Sequence, residues 1–171
     1  MKTILALTLA LSTMMATCHV RPVEERPKPQ TTTIFLVRHA EKDKGRNPPL
    51  TTAGQERAQH LAEILAKENL DAIYSTNYLR TQQTAQPTAA AQGLAIQDYD
   101  PGDLPAFAEQ LLRGPAGRRI LIVGHSNTTP VLAGLLTDGE AQPHFSEDDY
   151  GNLLIVNRST DGAARCLNLR F

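Results

Sequence analysis

Thr33-Ile34-Phe35-Leu36-Val37-Arg38-His39 is the stretch on which the reading of the fold turns. Its continuous apolar run, Ile34 to Val37, is what a strand covered on both faces looks like. It ends in a guanidinium and an imidazole. The layout returns at Ile73-Tyr74-Ser75, with Arg80 five residues beyond, and at Ile120-Leu121-Ile122-Val123-Gly124-His125. Helical stretches lie between. Thr52 and Gln55 have capping-box spacing. Ala58, Leu61, Ala62 and Leu65 then form one apolar stripe, in a helix expected to end near Asn69. Leu79 to Gly93 reads as a helix with a kink or irregularity at Pro87, Leu94 to Tyr99 as a weak strand, and Leu104 to Arg113 as a helix. Thr128 to Leu136 reads as a helix with Pro130 in its first turn. Asp161-Gly162, between Gly151–Arg158 and Ala163–Phe171, is a hairpin signal. This alternation predicts an α/β fold. The expected architecture is a three-layer sandwich with a mostly parallel central sheet, helices on both faces and a C-terminal β-hairpin.

The chain has 171 residues, enough for one domain with a real core. Its net charge of −1 excludes a general nucleic-acid footprint, which needs a basic surplus. At the N-terminus, Lys2 followed by the apolar run Ile4 to Leu11 and small residues at Ala16 and Thr17 has the layout of a secretory signal peptide. The expected division is a signal peptide over 1–17, a tether rich in proline and charge over 18–30, and one domain over 31–171. Export to the periplasm, or lipid anchoring at a bacterial cell envelope, follows as an expectation. Cys18 has three open readings. It is a lipid anchor attaching the chain to a membrane, because Met15-Ala16-Thr17-Cys18 resembles a lipoprotein box. Otherwise it pairs with Cys166, or it is a thiol. Oligomeric state is not readable from the sequence.

In open α/β sheets ligands bind outside the carboxyl ends of the strands. Arg38, His39, Arg80 and His125 can therefore converge. Two guanidiniums match phosphate oxygens with planar donor forks. Helix N-termini after Arg80 and after His125 are expected to add N–H donors. One neutral imidazole can attack phosphorus while a second supports the developing charge. A neighbouring arginine disfavours the charged imidazole. The set suits phosphoryl transfer through a phosphohistidine on a small phosphorylated substrate. His19, His60 and His144 show no such placement.

Leu36-Val37-Arg38-His39-Ala40-Glu41 resembles the Arg-His-Gly signature of the histidine phosphatase superfamily, the phosphoglycerate-mutase-like proteins. Leu50-Thr51-Thr52-Ala53-Gly54, Ser75 to Ala85 and Gly124-His125-Ser126-Asn127 are similar to its further motifs, in family order. The resemblance implies that His39 is the phosphorylated nucleophile. Arg38, Arg80 and His125 would bind the phosphoryl group, with Asn127 as a further phosphate-binding candidate. It implies no metal and no cofactor, because the arginines replace the usual cation. Ala40 stands where the signature has Gly, and Ser126 stands where the acid phosphatases of the family carry Asp. For the proton donor, Asp98, Asp100 and Asp103 are the candidates, Asp100 the preferred one, with Glu41 behind them. Hydrolysis of phosphomonoesters or of phosphohistidine is the expected activity. Three alternatives stand beside it. One is a non-catalytic phospho-ligand-binding protein of the same fold. Another is a serine hydrolase using Ser126, Asp138 and His144. The third is a mutase, which needs a covering lid that a chain this short has few residues to build.

Overall fold

The computed structural model describes residues 30–140 and 142–171, so the signal-peptide, tether and Cys18 expectations lie outside the described residues, Gln30 excepted. Six strands and four helices alternate in the order β1 (Thr31–Arg38), α1 (Thr52–Ile64), β2 (Ala72–Ser75), α2 (Leu79–Gln92), β3 (Ile96–Asp98), α3 (Leu104–Arg113), β4 (Arg119–Gly124), α4 (Thr129–Leu136), β5 (Asn152–Ser159) and β6 (Ala164–Arg170). They form one six-stranded sheet in the order β3-β2-β4-β1-β5-β6. Pairing is parallel from β3 through β2 and β4 to β1, and antiparallel from β1 to β5 and β5 to β6. The anticipated α/β architecture with a terminal hairpin is therefore the one observed.

Period-two alternation along the central strands divides the core. Leu36, Ile120 and Ile122 face a cluster with Phe107, Leu111, Leu132 and Leu136 from α3 and α4. Phe35, Val37, Leu121 and Val123 face the other side, against Leu61, Leu65, Ala85 and Ala89 from α1 and α2. Continuous apolar runs occur because both faces are covered.

Local boundaries differ from the sequence reading in three places, at the two ends of α1 and at the hairpin turn, while α2 keeps its expected span. The N-cap of α1 is Thr51, not Thr52: Thr51 Oγ1 accepts the Gly54 N–H at 3.1 Å, and the Thr51 N–H donates to the Glu41 carbonyl at 2.9 Å. That second bond lies across the loop closed by the Lys42–Leu50 bridge, which no local propensity reports. The helix stops at Ile64 rather than near Asn69, and Asn69 turns the chain with φ 48°. Pro87 lies inside α2 without ending it, and Gly93 in the left-handed region caps that helix. The hairpin turn is wider than a two-residue loop, since Ser159 N–H donates to the Ala163 carbonyl around Gly162 at φ 95°.

Candidate active site

Register brings the reactive residues together. Parallel β1 and β4 pair Val37 with Val123 and Arg38 with Gly124, so His39 and His125 leave the sheet side by side. Their ring centroids are 5.6 Å apart in an edge-to-face arrangement. The two exits are stitched by the His39 N–H donating to the Gly124 carbonyl at 2.9 Å. Gly124 has no room for a side chain, because a Cβ there would sit 2.8 Å from Thr129 Oγ1 and from the Tyr99 hydroxyl. On the far side of β4, β2 pairs Ser75 with Val123, which carries Thr76 to His125. Arg80 enters from the first turn of α2, with Nη2 3.3 Å from His125 Nδ1.

Both imidazoles have assigned tautomers. His39 Nδ1 lies 2.8 Å from the Ala40 carbonyl oxygen. A carbonyl only accepts, so Nδ1 carries the hydrogen and Nε2 keeps its lone pair. His125 Nδ1 faces a guanidinium that only donates, so its hydrogen is on Nε2, 3.0 Å from Thr76 Oγ1. Thr76 then donates to Thr81 Oγ1 at 3.0 Å, and Thr81 donates to backbone carbonyls. Burial pushes the His39 imidazole down to about 3; the Ala40 carbonyl opposes this, and Arg38, Arg80 and His125 reinforce it. Burial and then the charges of Arg80 and Arg38 push His125 down to about 4. Both rings are thus neutral at physiological pH.

Arg38 is 2% exposed, and an unpaired buried charge costs several kcal/mol. Its Nη1 donates to the carbonyls of Ser146 and Glu147, both at 2.8 Å, and its Nη2 lies 3.3 Å from Glu147 Oε2. The guanidinium also lies 4.2 Å from the Tyr150 ring centroid. Arg80 lies similarly over Tyr78, at 4.6 Å. The Nε atoms of Arg38 and Arg80 are buried without a hydrogen-bond partner. Buried donors are normally satisfied, so two unfilled guanidinium donors beside a lone-pair nitrogen describe a place for an oxyanion.

Other sequence candidates sit elsewhere or act differently. Asp100 accepts the Gly102 N–H at 2.8 Å and lines a crevice against α3 with Asp98 and Asp103. It follows edge strand β3, and with β2 intervening that strand lies roughly 10 Å from β4. The hydrogen bond that Asp100 makes is within its own turn and not with either imidazole. Asp98 holds Gln82, and Asp103 caps α3 by accepting the Ala106 N–H. Glu41 is clamped by Arg57 at 2.7 to 3.0 Å. Burial alone would raise its carboxyl, but the Arg57 hydrogen bonds prevail and hold it below the usual range. Asn127 is exposed in the turn after His125, and the hydrogen bonds that organise the site do not include it. Some of the expected anion-binding N–H groups are committed: Thr128 and Thr129 donate to the His125 carbonyl, and the Leu79 N–H donates to Asn47 Oδ1. Ser126, Asp138 and His144 do not assemble: Ser126 donates to Glu147, Asp138 pairs with Arg158, and His144 is exposed.

Sequence reasoning missed Glu147, Tyr150, Tyr78 and Thr76. The first two lie in the acidic loop Ser146 to Asp149 and just after it, which touches the site only because β5 lies beside β1. Cys166 is half-buried on β6, its thiol pushed up to about 11 by burial and then by Glu140.

Residues 34–101 match the family model of the histidine phosphatase superfamily (branch 1). Phosphoserine phosphatase 1 of Hydrogenobacter thermophilus is 39% identical over 75 residues, which cover 39% of this chain and 36% of the relative. The chain thus aligns with little more than a third of that curated relative. Among solved structures, the protein histidine phosphatase SixA complexed with tungstate superposes with a TM-score of 0.67 and 19% identity, over 81% of this chain and 96% of that one. The α-ribazole-5′-P phosphatase structure described as putative, from Escherichia coli K-12, gives a TM-score of 0.69 and 18% identity, over 82% and 97%. At those identities the structural likeness concerns the fold.

Proposed function

We propose that this chain, which belongs to the histidine phosphatase superfamily, is a phosphatase that works through a phosphohistidine on His39. One observation carries the reading. The Ala40 carbonyl holds the His39 hydrogen on Nδ1, leaving Nε2 a neutral nucleophile beside two unfilled guanidinium donors. The substrate class is phosphomonoesters or phosphohistidine. Names of similar proteins support it: one acts on phosphoserine, and a protein histidine phosphatase of this fold holds tungstate, an oxyanion.

In this reading Nε2 attacks phosphorus, and Arg38 and Arg80 donate through Nε to the phosphoryl oxygens. Because the loop and Tyr150 already hold Arg38, its donor needs no reorganisation when charge develops, which is where such stabilisation is worth most. His125 borders the same space; its present bonds to Arg80 and Thr76 set the orientation from which it engages the phosphoryl group. Water then attacks the phosphohistidine and returns His39 to its starting state. The two arginines supply the positive charge, so the reaction as proposed uses no metal ion.

The test is phosphate release from p-nitrophenyl phosphate by residues 30–171 in EDTA, beside His39→Ala. Turnover that survives EDTA and falls by at least ~10³-fold in the variant is expected, since loss of a nucleophile that acts in concert with its neighbours removes most of the catalysis. Full activity in His39→Ala overturns the mechanism. Tight phosphate-ester binding without release favours the binding-protein alternative.

A further inference from the structure

The proton that the leaving group needs has no source among Arg38, His39, Arg80 and His125. His39 has its one hydrogen tied to a carbonyl, His125 has its hydrogen on Thr76, and the guanidiniums do not give up protons. We propose that Glu147 is the proton donor, and in the second step the proton acceptor, of the phosphatase reaction; this inference rests on the phosphatase reading above. Its Oε1 accepts a hydrogen bond from Ser126 Oγ at 3.2 Å, and its Oε2 lies 3.3 Å from Arg38 Nη2. One carboxylate thus spans from the residue after His125 to the residue before His39.

The loop holds this carboxylate at the edge of the site, between Ser126 and Arg38. The backbone carbonyls of Ser146 and Glu147 are both fixed at 2.8 Å by the buried Arg38 cation. The Glu147 side chain is 83% exposed, so it is open to water. Other carboxylates near the strand ends are committed: Glu41 to Arg57, Asp98 to Gln82, Asp100 to its own turn, and Asp149 to Arg170. Ser126 has the corresponding role of a positioning residue, its hydroxyl holding the carboxyl next to the turn that follows His125.

The two steps balance. The acid form of Glu147 carries the proton that the first step consumes and the second step restores. His39 Nε2 forms the N–P bond while the ester P–O bond breaks. The departing oxygen takes the Glu147 proton and leaves as an alcohol. Water then attacks phosphorus and gives its proton to the Glu147 carboxylate. The N–P bond breaks, its electron pair returns to Nε2, and phosphate departs.

Leaving-group dependence tests this. Glu147→Gln keeps the size and both hydrogen-bond partners but cannot deliver a proton. A p-nitrophenolate leaves unaided, whereas an alkoxide does not. On glycerol 2-phosphate, kcat in Glu147→Gln is expected to fall by ~10²–10⁴-fold, the usual contribution of a general acid. On p-nitrophenyl phosphate the loss is expected to stay below about 10-fold. A parallel fall on both esters shows a structural role and overturns the inference, as does an unchanged kcat on both. Each of those outcomes leaves the phosphatase reading standing. A wild-type protein inert towards both esters and towards phosphohistidine overturns that reading and this inference with it.

Discussion

His39 and His125 share a cluster with two guanidiniums, and burial is the main cause that keeps each of them uncharged. This has a consequence for stability. The folded values of about 3 and about 4 lie below the ordinary 6.5, so between these limits the unfolded chain binds protons that the folded chain refuses. Stability therefore rises with pH across that window. It is fully present above about 6.5 and is lost as pH falls towards 4 and then 3. The urea midpoint is expected to drop between pH 7 and pH 4, and to drop less in His39→Asn, which has nothing to titrate. Equal drops in the two proteins would contradict the assignment. At this scale the strand-end residues were legible because each ends an apolar run. Glu147 and Tyr150 were not: their chemistry arises from Arg38, more than 100 residues earlier in the chain.

At the scale of elements, α1 shows how a tertiary contact overrides local propensity. Gly54 lies in the first turn of that helix, where Ala would ordinarily be favoured by ~1 kcal/mol. A Cβ there would stand 2.1 Å from the Glu41 carbonyl oxygen, which also accepts the Thr51 N–H. That atom is backbone and cannot swing aside. Overpacking of this kind typically costs ~1–3 kcal/mol, so the clash outweighs the propensity. Gly54→Ala is expected to lower the urea midpoint; a rise would show that the Glu41 loop yields. The same contact explains why the helix entry was displaced by one residue in the sequence reading. The capping pattern was visible, but the choice between Thr51 and Thr52 depends on where the 42–50 loop closes.

Across the whole molecule, the sheet separates two apolar clusters that share no residue, and this predicts independence. Leu61 of α1 and Leu132 of α4 are both buried, on opposite faces. Each change to Ala is expected to cost ~2–5 kcal/mol. With a sheet between them, the double variant should match the sum to within ~0.5 kcal/mol in urea unfolding. A larger coupling would mean that the sheet transmits repacking from one face to the other. The amino-acid sequence by itself determined the alternation of elements, the burial of the central strands on both faces, and the residues that end those strands. These depend on periodicity and on neighbours within a few positions. Strand order, the register that sets His39 beside His125 and the arrival of Glu147 were decided only by tertiary structure. Each depends on which strands pair, and pairing is a free energy shared between segments far apart in the chain, with no trace in either segment alone.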